Sequence, residues 1–237
     1  MRKSEANEQV DEHESVDVTE RRLEMRKVFE IGGFVAAAIL VAFGVASIIM
    51  GFNGRNTVRD SLKQEAIVGS ADMTPSAIKA EAKAAGLNIA NLTFPTMSVA
   101  NKAIVTGADA RAFAGYMRIH TLESSGGLTY SQLPRYATAD GKGTNDATKA
   151  LMSKGVPVDN AARNLWVTET ALTTALNTSY MAEQISLFGI VVGFALLLTG
   201  IGLGILAVGG TLANAKPALE LFGKRTPRTG GTTVPQA

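Results

Sequence analysis

Residues 185–210 read ISLFGIVVGFALLLTGIGLGILAVGG, a run with no charged side chain. As a helix rising about 1.5 Å per residue, it is long enough for the ~30 Å hydrocarbon core of a bilayer. An earlier run, residues 31–51, IGGFVAAAILVAFGVASIIMG, is equally free of charge. A secretory signal peptide holds a shorter apolar region, about 7–15 residues, ended by a small-residue cleavage site. The first run is longer than that and follows the polar residues 1–30. A core helix of this length in a soluble protein shows a polar stripe, and neither run has one. Two transmembrane helices are therefore expected.

Lysine and arginine near the helix ends set the orientation. Arg21, Arg22, Arg26 and Lys27 precede the first span, and Lys216, Lys224, Arg225 and Arg228 follow the second. Arg55, Arg59 and Lys63 weaken the contrast after the first span, but no basic residue lies between Arg163 and the second. Both termini are expected in the cytoplasm and residues 53–184 outside it. The chain has no cysteine, so no disulfide braces the outer segment and no thiolate serves as nucleophile or ligand. A net charge of +2, with no basic run beyond the membrane flanks, argues against nucleic acid as a partner.

Residues 1–18 are polar and acidic with little to bury, the composition of a disordered cytoplasmic tail. Residues 19–52 read as the first transmembrane helix with a cytoplasmic lead-in, for which Thr19 offers an N-cap. Beyond the span, Val58, Leu62 and Ala66 share one face of a continued helix, a stalk. In SADMTPSAIKAEAKAAG, Thr74 can cap, Pro75 suits the first helical position and Gly86 suits the stop. Residues 87–105 read as extended, residues 108–124 as a helix ended by Gly126 and Gly127, and residues 128–159 as turns with one helical turn near 147–152. From Asp159 no proline or glycine intervenes before Gly189, which predicts one helix, capped by Asp159 or Asn160, running into the second span. Leu165, Leu172 and Leu176, with Ala161, Thr168, Ala175 and Ala182 beside them, call for a close helical neighbour, which the first stalk supplies. Residues 211–237 read as a juxtamembrane segment and a disordered tail. The expected fold is mainly α: a two-helix transmembrane hairpin with helical stalks and a mostly helical extracytoplasmic domain over residues 53–184.

Chemistry is sparse. His120 is one of two histidines. At 100° per residue it falls with Phe113, Tyr116 and Met117 on the apolar side of its helix, while Arg111 and Arg118 lie on the far side. Glu123 reaches it at i+3. His120, Glu123 and Tyr116 are the candidate polar site, and a half-buried structural histidine outweighs a catalytic one. A metal centre takes three or four ligands. His120 has only carboxylates such as Glu123, Asp109 or Asp140 to recruit, so no metal or cofactor is expected. The loop from Asp140 departs from a calcium loop at Asn145 and Leu151, where glycine and glutamate belong. No serine-nucleophile motif or phosphate loop is present.

The stronger motif concerns helix association. Gly189 with Gly193, and Gly200 with Gly204, form two G-x-x-x-G pairs, and Ala38, Ala42 and Ala46 make a small-residue row in the first span. The spans carry no ionisable residue at depth, which argues against a pump.

The pieces FGVASIIMGFNGR, DMTPSAIKAEAKAAGL, YMRIHTLESSGG and NLWVTETALTTALNTSYMAEQISLFGIVVG together resemble a family of two-span membrane proteins of actinobacteria whose function is not established. Some of its members carry an automatic label of aromatic ring-opening dioxygenase. Such an enzyme holds iron through two histidines and a carboxylate. Here the expected topology puts His13 and His120 on opposite sides of the membrane, against that label. The resemblance implies an actinobacterial cytoplasmic membrane and supplies no catalytic residue. The functional expectation is a non-enzymatic envelope protein whose outer domain self-associates or binds a membrane or cell-wall partner. An oligomeric channel or transport accessory comes second, and an outer-face enzyme or metal binder centred on His120 third.

Overall fold

No glycine or proline interrupts the chain from Arg2 to Ile31, and its Glu, Arg, Gln, Met and Leu residues are good helix formers. The first helix, α1 (Arg2–Gln64), accordingly runs through all of it and past Gly51 and Gly54. Residues 2–18, expected as a disordered tail, are thus helical: helix propensity prevails where there is nothing to bury. The protein is described by a computed structural model, which covers the backbone of residues 2–223 and the side chains of Lys27 and residues 30–209. The last helix, α4 (Ala161–Gly223), begins where the Asn160 side chain accepts the Ala162 N–H at 3.0 Å. It carries through most of the expected juxtamembrane segment, while the expected tail at 224–237 lies outside the described residues. Among the described residues, two segments are long and apolar enough to cross a membrane, Glu30–Gln64 and Ala161–Gly209, each with mean hydropathy 2.5 and only 11% of its most apolar stretch buried.

The chain divides into two units. In the first (Met1–Ile48 with Val191–Ala237), Ala37 and Gly44 of α1 and Gly193 and Gly200 of α4 are buried, each pair seven residues apart. A Cβ on Gly44 would stand 2.8 Å from the Gly193 carbonyl oxygen, and one on Gly200 would stand 2.9 Å from that of Ala37. The backbones touch, as only glycine allows. A seven-residue repeat stays on the seam of two slowly coiling helices, whereas a four-residue repeat drifts around the surface. Hence Ala38, Ala42 and Ala46 are exposed and lie outside the seam of the hairpin. Gly193 and Gly200 do form that face, Gly204 lies 3.8 Å from the Ala37 Cβ, and Gly189 is half-buried.

In the second unit, Ile49–Ile190, α1 and α4 again lie side by side. A Cβ on Gly51 would meet the Ser186 carbonyl at 2.6 Å. Glu169, Leu176 and Glu183 recur every seven residues on the buried face of α4, and Leu62 is buried on α1. Leu165, expected inward, is 39% exposed because Trp166 takes the inward position. Helix α2 (Pro75–Ala84) starts as expected, with the Thr74 hydroxyl accepting the Ala77 N–H at 3.2 Å, and stops at Gly86 with φ +75.

Helix α3 (Gly107–Ser124) is capped by Thr106, whose hydroxyl accepts the Asp109 N–H at 3.1 Å and donates to the Asp109 carboxylate at 2.7 Å. Ile78 and Ala82 of α2 pack with Phe113, Tyr116, Ile119, Val99, Ile104, Trp166 and Leu176 in one core. The segment expected to be extended holds instead a 3-10 turn at Ile89–Asn91 and single bridges from Gly69 to Ala100 and from Val68 to Ala103. A two-stranded hairpin, β1 (Met152–Ser153) with β2 (Val156–Pro157), and a 3-10 turn at Ala147–Lys149 lie in the region read as turns.

Candidate functional site

His120 stands on the second turn of α3 from its C-terminal end, at the margin of the buried face rather than its centre, with a side chain 26% exposed. Around it the fold gathers carboxylates from two elements. Glu123 Oε2 lies 3.2 Å from Nδ1, Asp72 Oδ2 lies 3.6 Å from Nε2, and Glu81 Oε2 lies 4.0 Å from Nδ1. Glu123 thus faces one ring nitrogen and Asp72 the other. The ligand atoms of Asp72, Glu81 and His120 all lie within 4.8 Å of one another.

Asp72 precedes α2 and Glu81 lies on it, one position before the buried Ala82. The packing of α2 on α3 therefore carries both to His120. A hydrogen bond from Ser70 holds the Asp72 carboxyl below its ordinary value against partial desolvation, and its own backbone N–H and the charge on His120 add to the lowering. Glu123 Oε1 is buried with no hydrogen-bond partner. Three carboxylates thus share one imidazole, and one of their oxygens lacks a donor. The charge balance and the nitrogen–oxygen donor set suit a divalent cation such as zinc or manganese.

Asp72 and Glu81 were not named from the sequence, whereas Glu123 was. Of the other carboxylates that were, Asp109 is buried in the first turn of α3, accepting from Lys102 Nζ at 2.5 Å and from Thr106. Asp140 accepts from the Thr138 hydroxyl and the Lys142 N–H within its own exposed turn. Tyr116 is also removed from the site. It is fully buried, donates its hydroxyl to the Met97 carbonyl at 3.1 Å, and is pushed up in pKa by that burial. Only His120 and Glu123 of the expected trio come together.

No family model, curated protein or solved structure matches the chain. Function is therefore argued from geometry. The cluster holds an imidazole and carboxylates, but among the described residues no serine hydroxyl stands within hydrogen-bond distance of His120. Cation binding and proton exchange are the chemistry within its reach.

Proposed function

We propose that the chain is a two-span, non-enzymatic membrane protein of the cell envelope. The apolar segments of α1 and α4 cross the bilayer, both termini face the cytoplasm, and the intervening domain is displayed on the opposite side for self-association or for a membrane or cell-wall partner. One observation carries this reading. Large apolar side chains ring both helices outside their seam, among them Met50 at 73%, Phe43 at 64%, Phe188 at 69% and Leu206 at 72% exposure. Apolar surface on this scale calls for lipid or protein cover, and the length of the segments matches a bilayer.

The orientation rests on the lysine and arginine bias at the cytoplasmic flanks, and the resemblance to the actinobacterial two-span family fits the same setting. Self-association is supported by the Ala38, Ala42 and Ala46 row, which the hairpin leaves unused on its outer surface. Small residues there let a neighbouring helix approach closely.

Because the chain lacks cysteine, single substitutions test both points cleanly. Ser153→Cys, on the exposed hairpin, is expected to react with a membrane-impermeant maleimide in intact cells; protection there with labelling after lysis would reverse the topology. Ala42→Cys is expected to form disulfide-linked dimers in native membranes while Phe43→Cys does not. Equal cross-linking, or none at either position, refutes association through the alanine row.

A second reading, a cation-binding outer domain, is favoured by the ligand atoms of Asp72, Glu81 and His120, all within 4.8 Å of one another. It is compatible with the first, since a bound cation would pin α2 to α3.

A further inference from the structure

A groove of about 650 Å³ runs between α3 and α4, closed on one side by the loop at residues 93–97, and its size suits a small ligand. The two helices are tied at both ends of it. At one end the Gly107 N–H donates to Glu183 Oε2 at 2.6 Å; at the other Trp166 Nε1 donates to Ser125 Oγ, at the cap of α3, at 3.3 Å and to the Leu128 carbonyl just beyond it at 2.9 Å. Two arginines of α3 lie along the rim, each laid on an aromatic ring of α4: Arg111 is 4.7 Å from the Tyr180 centroid and Arg118 is 5.3 Å from that of Trp166. Neither guanidinium is engaged in an ion pair among the described residues.

The floor of the groove holds the unusual group. Glu169 is 3% exposed, yet its Oε1 has no hydrogen-bond partner and its Oε2 accepts only a 3.4 Å bond from Thr170. A buried carboxyl oxygen with no donor is rare in folded proteins because it forfeits its hydration for nothing. Lining a groove, it is placed to receive a donor from a ligand.

The chemistry of that ligand follows from the spacing. Helix register sets Glu169 level with the Arg118 end and Asn177 and Tyr180 level with Arg111, and the two arginines stand seven residues apart, about 10 Å along α3. The Glu169 acceptor thus marks one end, where the Arg118 guanidinium is laid on Trp166, and the Arg111 guanidinium with the Asn177 amide marks the other, while Phe94 and Pro95 supply apolar wall. An extended peptide advances about 3.3 Å per residue, so roughly three residues span the interval. We propose that this groove binds a short peptide with free ends, its ammonium donating to Glu169 and its terminal carboxylate held by Arg111 and Asn177.

Trp166, the only tryptophan, carries the groove residue Arg118 on its ring and reports occupancy by its fluorescence. The full chain in lipid nanodiscs is titrated with trialanine, with its N-acetylated form and with its C-terminal amide, and calorimetry confirms each isotherm. Saturable binding is expected for trialanine, weakened at least about tenfold by either cap. Glu169→Gln should weaken trialanine to the level of the acetylated peptide and make acetylation irrelevant, and Arg111→Ala should do the same for amidation. The capped peptides test both contacts on the unaltered protein, so a variant that fails to fold leaves the answer intact. No saturable binding in the millimolar range, or caps without effect, overturns the proposal.

Discussion

Glu183 is 5% exposed at the meeting point of three helices. Its Oε2 accepts the Gly107 N–H at 2.6 Å, and its Oε1 faces Arg55 Nε at 3.3 Å and Arg59 Nε at 3.8 Å. The carboxylate therefore neutralises the first free N–H of α3, where the helix dipole favours an anion, and pairs with the stalk of α1. Glu183→Ala orphans a buried N–H, which costs about 1–3 kcal/mol. It also unpairs two arginines that are partly exposed at 26% and 39%, whose pairings are discounted to roughly 0.2–1 kcal/mol each by solvent. The sum is about 3 kcal/mol, or a melting temperature lower by roughly 10 °C for a unit of this size.

Glu183→Gln keeps an acceptor for Gly107 but loses the charge, so about a third of the effect is expected. The Trp166 fluorescence melt follows the unit Ile49–Ile190 alone, since the sole tryptophan lies in its core. Equal shifts for Ala and Gln would show that the Gly107 bond contributes nothing. Shifts under about 2 °C for both, less than 1 kcal/mol, would refute the account altogether.

Other outcomes follow from the same geometry. Gly193→Ala, whose Cβ would stand 2.8 Å from the Gly44 carbonyl, should loosen the hairpin, whereas Gly202→Ala, with open space around it, should leave it unchanged or slightly tighter by about the helix-propensity gain of 1 kcal/mol; thermal aggregation in detergent separates them. For Asp109, desolvation raises the carboxyl pKa, but bonds from Lys102 and Thr106 outweigh it, and the net shift is below the ordinary 3.8. A depressed carboxylate stabilises the fold above its unfolded pKa and ceases to as pH falls through its folded one, so this contribution should hold down to about pH 4 and vanish below it, and Asp109→Asn should flatten that acid limb. If a cation occupies the cluster, Zn²⁺ or Mn²⁺ should raise the Trp166 melt and bind at unit stoichiometry by calorimetry, with His120→Ala weakening it at least about tenfold; equal binding by the variant would remove His120 from the site.

The two apolar spans, the Thr74–Pro75 start of α2 and the body of α3 were legible because each is written in local sequence: charge-free length, a cap beside a proline, paired glycines at a stop. The seams were not. Ala38, Ala42 and Ala46 and the leucines from Leu165 make clear rows in one chain, yet the rows that pack are one position away, at Ala37–Gly44 and at Trp166. Which of two adjacent stripes faces inward depends on the partner helix, and only the second chain segment supplies that. Asp72 and Glu81 were invisible as partners of His120 for the same reason. Their nearness comes from α2 docking on α3 through Ile78 and Ala82, a contact between residues far apart in sequence. Arg111 and Arg118, expected on the side of α3 away from its apolar face, line a groove because α4 passes over that side as well.

Three carboxyls of the second unit are almost wholly buried, Asp109, Glu169 and Glu183 at 2%, 3% and 5% exposure. Two of them are satisfied: Asp109 by Lys102 and Thr106, Glu183 by Gly107 and Arg55. Both also sit at the N-terminal end of α3, where the backbone itself favours negative charge, so their burial is explained by stability alone. Glu169 has neither advantage. It lies more than two turns into α4, beyond the unpaired N–H groups of its first turn, its free oxygen has no donor, and arginines stand along the same groove without pairing to it. A purely structural position there would be filled at lower cost by leucine, as at Leu176 one heptad on. A carboxyl kept where it weakens the apoprotein is accounted for if something else supplies its missing hydrogen bond, and that is why the groove, rather than the better-paired acids, is assigned the ligand.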